Sequence, residues 1–285
     1  MSELKEVWSY KGHDGYQKVF RHYSQSLKSE HEFSVYLPPK AMLNQKCPVM
    51  YWCTGAAADD REFMLKSGVQ KYASERNMIV VAPEPRPGPL NDMAKEITAE
   101  YFVQFGFYLD ATEPPYSENF RMYTYIMEEL LPLIDYKFPV LTEKRGIAGH
   151  SMGGMGSLVF GLRNTDIFQS ISCISPISHP SGMPIGQSLM KSYFGDKRDE
   201  EGAKYDPFLL INQYEGPHRH ILVDQGGKDE LWSLCMTDSL IEAVMMKNLS
   251  LTYRSHAGYS HGIETIASFI GDHIAHHADE MQWKG

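Results

Sequence analysis

The chain has 285 residues, of which 42% are hydrophobic and 22% are charged, and its formal net charge is −9. This charge disfavours nucleic acid or an anionic membrane as the main partner, and no apolar run approaches the roughly 18 residues of a transmembrane helix. The N-terminus, Met1-Ser-Glu-Leu-Lys-Glu, lacks the basic-then-apolar layout of a signal peptide, so we expect a cytoplasmic protein.

The N-terminal part of the chain predicts mainly β-strands. Alternating apolar residues, such as Phe33, Val35 and Leu37, are typical of half-buried strands. The predicted elements are antiparallel strands at 17–23, 32–37 and 49–54, a helix at 61–76, and a buried strand of the parallel type at 79–82.

The remainder of the chain alternates between helix and strand. The predicted helices are 121–134, 152–164, 183–193, 207–212, 234–247 and 262–277, and the strands are 145–148, 170–175, 220–225 and 249–255. Such alternation indicates an α/β fold with a mostly parallel sheet and helices on both faces. No linker or repeat divides the sequence, so we expect a single domain over residues 1–285.

A glycine-rich turn lies between the strand at 145–148 and the helix that follows it. It reads Gly149-His150-Ser151-Met152-Gly153-Gly154. Glycines on both sides allow a turn too sharp for side chains, so the serine hydroxyl is exposed at the start of a helix. In this strand–turn–helix setting the pattern predicts a nucleophile elbow of the α/β-hydrolase fold, with Ser151 as the nucleophile. A structural glycine turn is the alternative.

An acid and a base should follow Ser151 in chain order, each after a strand. Asp224 ends the strand at 220–225, whereas Asp229 lies on the loop after it and is better placed to reach a histidine. His256 continues the last strand, and His261 lies in a turn before the last helix. We therefore predict Asp229 and His261 as the partners of Ser151.

The oxyanion hole of this fold uses the N–H of the residue after the serine, here Met152, and one from an early loop. Residues 54–60 form that loop, and its small residues allow close backbone approach, so Ala56 is the second predicted donor. An ordinary loop with Asp59 or Asp60 as helix cap is equally compatible with the sequence. This covalent chemistry requires no cofactor.

No metal site is predicted. The four cysteines lack metal-ligand spacing and are expected to be reduced, buried thiols. The histidines of the last predicted helix have suitable spacing for a metal, but no nearby carboxylate or cysteine completes a set, so we expect them to face solvent; they are His273, His276 and His277.

Several stretches, in order, resemble one known family over nearly the whole chain. They include Val35-Tyr-Leu-Pro-Pro, Phe107-Tyr-Leu-Asp-Ala-Thr-Glu, the elbow itself, Val223-Asp-Gln-Gly and Gly258-Tyr-Ser-His. The chain is similar to the S-formylglutathione hydrolases, the esterase D family. The resemblance implies hydrolysis of S-formylglutathione to glutathione and formate as part of formaldehyde catabolism, a triad of Ser151, Asp229 and His261, oxyanion donors Ala56 and Met152, and a homodimer.

The departures from the family pattern cluster where the substrate pocket is expected. The family's Gly-Leu-Thr-Cys at the oxyanion loop is Gly55-Ala-Ala-Ala58 in this chain. The family's glycine-rich run corresponds to residues 100–108, which have lost several glycines and contain Gln104. Ile185 occupies a position where the family usually has tryptophan. Loss of an indole removes bulk and a hydrogen-bond donor, so we expect a widened or shifted acyl preference. A general short-chain carboxylesterase or thioesterase, an acyltransferase and a catalytically silent binding protein remain alternatives.

Overall fold

A computed structural model describes residues 3–56, 58–88 and 102–285. These residues form one nine-stranded sheet. Its strands are β1 Lys5–Gly12, β2 Gly15–Ser24, β3 Ser29–Leu37, β4 Cys47–Cys53, β5 Ile79–Pro83, β6 Val140–His150, β7 Ser170–Ile174, β8 Arg219–Gly226 and β9 Leu249–His256.

The spatial order of the strands is β1-β2-β3-β5-β4-β6-β7-β8-β9. The first three strands form an antiparallel meander that joins the sheet through an antiparallel β3–β5 pairing. All pairings from β5 to β9 are parallel, so the sheet is mostly parallel, as predicted. The predicted strand at 49–54 corresponds to β4, which is parallel to both its neighbours; its grouping with the antiparallel strands was wrong.

Helices connect the parallel strands. They are α1 Pro39–Met42, α2 Asp60–Lys66, α3 Val69–Glu75, α4 (residues 122–137, with a π-helical stretch at Tyr125–Leu130), α5 Met152–Arg163, α6 Pro184–Phe194, α7 Arg198–Glu201, α8 Pro207–Asn212, α9 Trp232–Cys235, α10 Thr237–Met245 and α11 Ile263–Glu280. None of the described helices is long and apolar enough to cross a membrane.

Two predicted helices are each divided in the structure. The segment 61–76 becomes α2 and α3, because Gly68 adopts φ of +72° and interrupts the helical backbone between them. The segment 234–247 is divided at Met236, which has φ of +48°. Strand β1 was not predicted, since it is an edge strand whose residues are all at least partly exposed and show little apolar alternation.

The sheet buries a separate hydrophobic core on each face. Successive side chains of a strand point to opposite faces, so Val49 and Tyr51 of β4 join one core while Met50 and Trp52 join the other. Helices α4 and α5 cover the first face, and α2, α3 and α11 cover the second. The predicted α/β-hydrolase architecture, with helices on both faces, is confirmed.

The expectation that the histidines of the last helix face solvent is wrong. His273 and His277 are fully buried between α11 and the sheet. His277 bonds Ser170 and Ser172 through its two ring nitrogens at 2.6 and 2.9 Å, and His273 bonds Ser172 at 2.8 Å and Asp224 at 3.1 Å. Their partners lie on β7 and β8, so helix spacing alone could not reveal this buried network. The four cysteines are free and buried, as expected.

Candidate active site

Ser151 is the single residue between β6 and α5, and its backbone has φ of 57° and ψ of −119°. A residue with a side chain rarely adopts a positive φ, and such strained positions persist only where surrounding contacts hold them. Three backbone bonds do so here. The Ser151 N–H donates to Ile174 O at 3.0 Å, and the Ser151 carbonyl accepts from Met155 N at 3.0 Å and Ile177 N at 3.2 Å.

The flanking glycines are required by packing. A Cβ on Gly149 would overlap the backbone carbonyl of Gly153, and a Cβ on Gly153 would overlap the carbonyl of Cys53 on β4. The turn is therefore pressed against the neighbouring strand with no space for side chains. Because α5 begins at Met152, the N–H of that residue has no acceptor within the helix and lies at the positive end of its dipole.

The structure brings His261 and Asp229 together. His261 Nδ1 lies 2.9 Å from both carboxylate oxygens of Asp229. The same carboxylate accepts hydrogen bonds from Leu231 N at 2.8 Å and from Gln225 Nε2 at 2.6 Å. Burial alone would raise the pKa of Asp229, but the hydrogen bond and charge of His261 outweigh it and lower that pKa. An ionised carboxylate only accepts, so Nδ1–H donates and Nε2 keeps the lone pair.

The His261 ring packs against His150, the residue before Ser151. The two ring centroids are 4.5 Å apart, with the planes tilted by 48°. Burial lowers the pKa of His150 to about 3, with the nearby His261 contributing to the same shift. His150 is therefore neutral at physiological pH and adds no positive charge beside the His261 ring.

The alternative pair from the sequence analysis, Asp224 and His256, belongs to a separate hydrogen-bonded cluster. Asp224 is fully buried and bonds Arg254 through two contacts of 2.6 Å, His256 Nε2 at 3.1 Å and His273 Nε2 at 3.1 Å. These side-chain partners occupy its carboxylate. Burial opposes ionisation, but hydrogen bonds from His273 and Arg254 outweigh it and lower the pKa of Asp224. His256 stacks on Phe269 with centroids 3.5 Å apart.

The early loop predicted to supply the second oxyanion donor runs directly beside the elbow. A Cβ placed on Gly55 would lie 3.3 Å from Ser151 Cβ and 3.0 Å from His150 Nδ1, so the backbone at Gly55 and Ala56 passes close to the serine. Asp59 caps α2 by accepting from Glu62 N at 2.6 Å. The helix-cap interpretation of this loop is therefore correct, and it is compatible with an oxyanion role for Ala56.

Two cavities are lined by three of the four predicted pocket residues, namely Gly55, Ala58 and Ile185. The first, of about 240 Å³, is lined by Gly55, Ala56, Ala58, His150 and His261 together with side chains of α2 and α11. The early loop at Gly55 and Ala56 and the Asp229-bonded histidine therefore line one cavity.

The second cavity, of about 30 Å³, is apolar and is lined by Ile185 with Phe102, Phe107, Ile177 and Leu234 among others. Ile177 connects this cavity to the elbow, because its N–H donates a hydrogen bond to the carbonyl oxygen of Ser151. Gln104 lines neither of these two cavities.

Sequence reasoning missed some of these contributors. Phe102 and Phe107 provide aromatic walls beside Ile185. Gln225 is fully buried and bridges the site, since its Nε2 donates to Asp229 and its Oε1 accepts from Thr237 Oγ1 at 2.8 Å. Its place within the family-like stretch Val223-Asp-Gln-Gly was the available signal.

Comparisons with known proteins agree with this architecture. Residues 24–280 match the family described as "Putative esterase". The chain is 40% identical over 278 residues to an S-formylglutathione hydrolase of Rattus norvegicus, covering 97% of this chain and 98% of the relative.

Solved structures show the same relationship. An S-formylglutathione hydrolase from Agrobacterium tumefaciens superposes with a TM-score of 0.89 at 34% identity, covering 97% of this chain and 99% of the other. The fluorophosphonate-binding serine hydrolase F of Staphylococcus aureus, at 20% identity over 92% of this chain and 97% of its own, shares the fold with a TM-score of 0.69.

The sheet order and the strand–turn–helix at Ser151 define an α/β hydrolase. The chain belongs to the esterase family that includes the S-formylglutathione hydrolases, and it is a hydrolytic enzyme.

Proposed function

We propose that the protein hydrolyses a short-chain acyl thioester through an acyl-enzyme on Ser151, with S-formylglutathione as the leading substrate. The observation that carries this proposal is the strained Ser151, whose neighbour His150 packs against the His261 ring, while His261 Nδ1 lies 2.9 Å from buried Asp229. Relatives described as S-formylglutathione hydrolases, at 40% and 34% identity, support the substrate class.

Acylation begins when Ser151 Oγ attacks the carbonyl carbon of the thioester and its proton moves to His261 Nε2. Asp229 holds the ring in the tautomer that leaves Nε2 free, and it stabilises the imidazolium that forms. The tetrahedral intermediate collapses, the C–S bond breaks, and the leaving thiolate takes the proton from His261. Water then loses a proton to Nε2 as it attacks the acyl-enzyme, and the acid leaves as Ser151 regains its proton.

Charge on the carbonyl oxygen increases in both tetrahedral intermediates. We assign its stabilisation to the N–H groups of Met152 and Ala56. The first lies at the start of α5, and the second lies on the loop whose backbone passes beside Ser151. Removing one such donor typically costs about 10²–10³ in kcat. The donors are backbone groups, so a change in loop geometry at Gly55 should disturb them more than a change of side chain.

Cavity size favours a small acyl group. A single water molecule requires about 10–15 Å³ of such space, so the cavity of about 30 Å³ beside Ile185 admits roughly two water-sized groups. We assign the acyl group to this apolar cavity and the leaving group to the space of about 240 Å³ beside His261, which must protonate it. Aromatic walls at Phe102 and Phe107 thus offset the bulk that isoleucine lacks at position 185, so this proposal of a small acyl pocket replaces the widened acyl preference expected from the sequence.

The test compares kcat/KM for S-formylglutathione with that for formyl, acetyl and butyryl 4-nitrophenyl esters, with Ser151→Ala as the control. We expect the formyl thioester to be turned over well above every ester, and we expect turnover to fall with acyl length. Comparable or faster turnover of the butyryl ester would contradict the small-acyl assignment and identify a general carboxylesterase. Activity that survives in Ser151→Ala would contradict the mechanism.

The wider setting follows from the same proposal. We propose a single cytoplasmic domain over residues 1–285 that needs no cofactor, forms a homodimer and acts in formaldehyde catabolism. Light scattering on a sizing column measures the mass of the particle directly. A mass near twice 32.5 kDa is expected, and a mass equal to that of one chain would refute the dimer.

A further inference from the structure

Three potential metal ligands converge outside the catalytic region. His220 lies near the beginning of β8, and His276 and Glu280 lie one helical turn apart on α11. One potential ligand atom from each residue lies within 4.8 Å of the other two. His220 Nδ1 is already 3.1 Å from Glu280 Oε1, and the two imidazole rings are 5.2 Å apart at 79°.

Each of the two histidines also makes a hydrogen bond through Nε2 with a residue outside this cluster. His276 Nε2 lies 3.0 Å from the carbonyl oxygen of Ile171, and since a carbonyl only accepts, this nitrogen carries the proton and Nδ1 keeps the lone pair. His220 Nε2 lies 2.8 Å from Thr252 Oγ1, a hydroxyl that can accept a hydrogen bond. Metal-binding histidines almost always donate their other ring N–H in this manner, which fixes the tautomer and the ring orientation.

We propose that His220, His276 and Glu280 bind a divalent transition-metal ion, with Zn²⁺ as the preferred occupant. Two imidazole nitrogens and one carboxylate oxygen form a known zinc ligand set, completed by water in the fourth position. Nitrogen ligands disfavour Mg²⁺ and Ca²⁺, which prefer oxygen. His220 and His276 are half-buried and Glu280 is exposed, and the His220 and Glu280 side chains keep 34% and 31% of their accessible surface, so an ion can enter.

The location assigns this site a structural role. His220 lies near the start of β8, whereas Asp229 follows the end of that strand, and Gly226 lies six positions along the strand from His220. At about 3.3 Å per residue this is about 20 Å. A bound ion would join the sheet to the C-terminal end of α11 without touching Ser151 or His261. We therefore expect it to raise thermal stability and leave hydrolysis unchanged.

Calorimetric titration of chelator-treated, full-length protein with ZnCl₂ tests the proposal, with MgCl₂ as the comparison ion. We expect one Zn²⁺ per chain and a rise in Tm of about 5 °C at 100-fold excess over Kd. His220→Ala and Glu280→Gln should each weaken binding at least about tenfold, since each removes one of three ligands. His218→Ala is the matched control, because His218 is exposed and lies two positions away.

A second cluster requires a separate measurement. Among the described residues, Asp229, Cys235 and His261 also offer ligand atoms within 4.8 Å of one another. Zinc bound there would occupy His261 and abolish hydrolysis. Binding that inhibits the enzyme and persists in His220→Ala would overturn the proposal, as would the absence of binding or equal binding by the wild type and all variants. Binding that is lost only in His220→Ala and Glu280→Gln, with full activity retained, would support it.

Discussion

Asparagine substitutions at Asp229 and Asp224 distinguish the roles of the two carboxylates that lie near the end of strand β8. Both are buried, both contact a histidine, and both have a lowered pKa. Asp229 bonds His261 at 2.9 Å, whereas Asp224 bonds His256 and Arg254. We expect Asp229→Asn to abolish activity with little loss of stability, and Asp224→Asn to do the reverse.

The expected magnitudes follow from what each carboxylate contacts. An amide at position 229 can donate to His261 Nδ1 and thereby stabilise the tautomer that cannot accept the Ser151 proton. In a serine protease this change lowers kcat by about 10⁴, which corresponds to about 5 kcal/mol in the activation free energy. Asp224→Asn weakens the pairing with Arg254. Loss of a fully buried pair costs about 3–5 kcal/mol. Because the Arg254 side chain is 32% exposed, we expect about 2 kcal/mol here.

The assay is kcat for a formyl ester, combined with thermal unfolding monitored by circular dichroism. About 2 kcal/mol should lower the Tm of Asp224→Asn by about 3 °C. Its kcat should stay within about tenfold of wild type, because Asp224 contacts none of the proposed catalytic groups. A loss of about 10⁴ in kcat for Asp224→Asn, with Asp229→Asn still active, would refute the assignment and favour the Asp224–His256 pair.

Three further outcomes are expected. Gly153→Ala should destabilise the fold by about 3 kcal/mol or more in chemical denaturation, because its Cβ would overlap the Cys53 carbonyl; an unchanged midpoint would contradict this. Burial raises the pKa of Asp60 to about 7 from 3.8. The folded state therefore binds more protons than the unfolded state between these two pH values, and the free energy of unfolding of the wild type should fall as pH rises through this range. Asp60→Asn should remove the fall, worth about 2–3 kcal/mol between pH 5 and 8, and parallel curves for the two proteins would contradict it. Ile185→Ala should raise the butyryl-to-formyl ratio of kcat/KM about tenfold, whereas an unchanged ratio would place the acyl group elsewhere.

The local signals in the sequence were sufficient for the elbow and most parallel strands. Gly149 and Gly153 encode a turn whose packing against β4 leaves no other choice of residue, so the pattern itself contains the geometry. The place of Asp229 on the loop after β8 favoured it over Asp224 before any contact was known. Strand β5 could be predicted because it is buried along its whole length and therefore continuously apolar.

The features that the sequence did not predict depend on contacts between residues that are distant in the sequence. His273 and His277 are buried because β7 and β8 offer serine and aspartate side chains beneath α11. His276 and Glu280 meet His220 only after α11 packs on the sheet, and the sequence analysis paired neither Glu280 nor His220 with His276. The direction of β4 depends on its insertion between β5 and β6, which short-range alternation does not encode.

The most direct test of the central claim is the intact mass of the folded protein after brief exposure to a fluorophosphonate probe, followed by peptide mapping. We expect one adduct per chain, located on Ser151, and we expect Asp229→Asn to slow its formation, because labelling requires His261 in the tautomer that can accept the Ser151 proton. Absence of an adduct from folded wild-type protein, or an adduct on a different residue, would contradict Ser151 as the nucleophile.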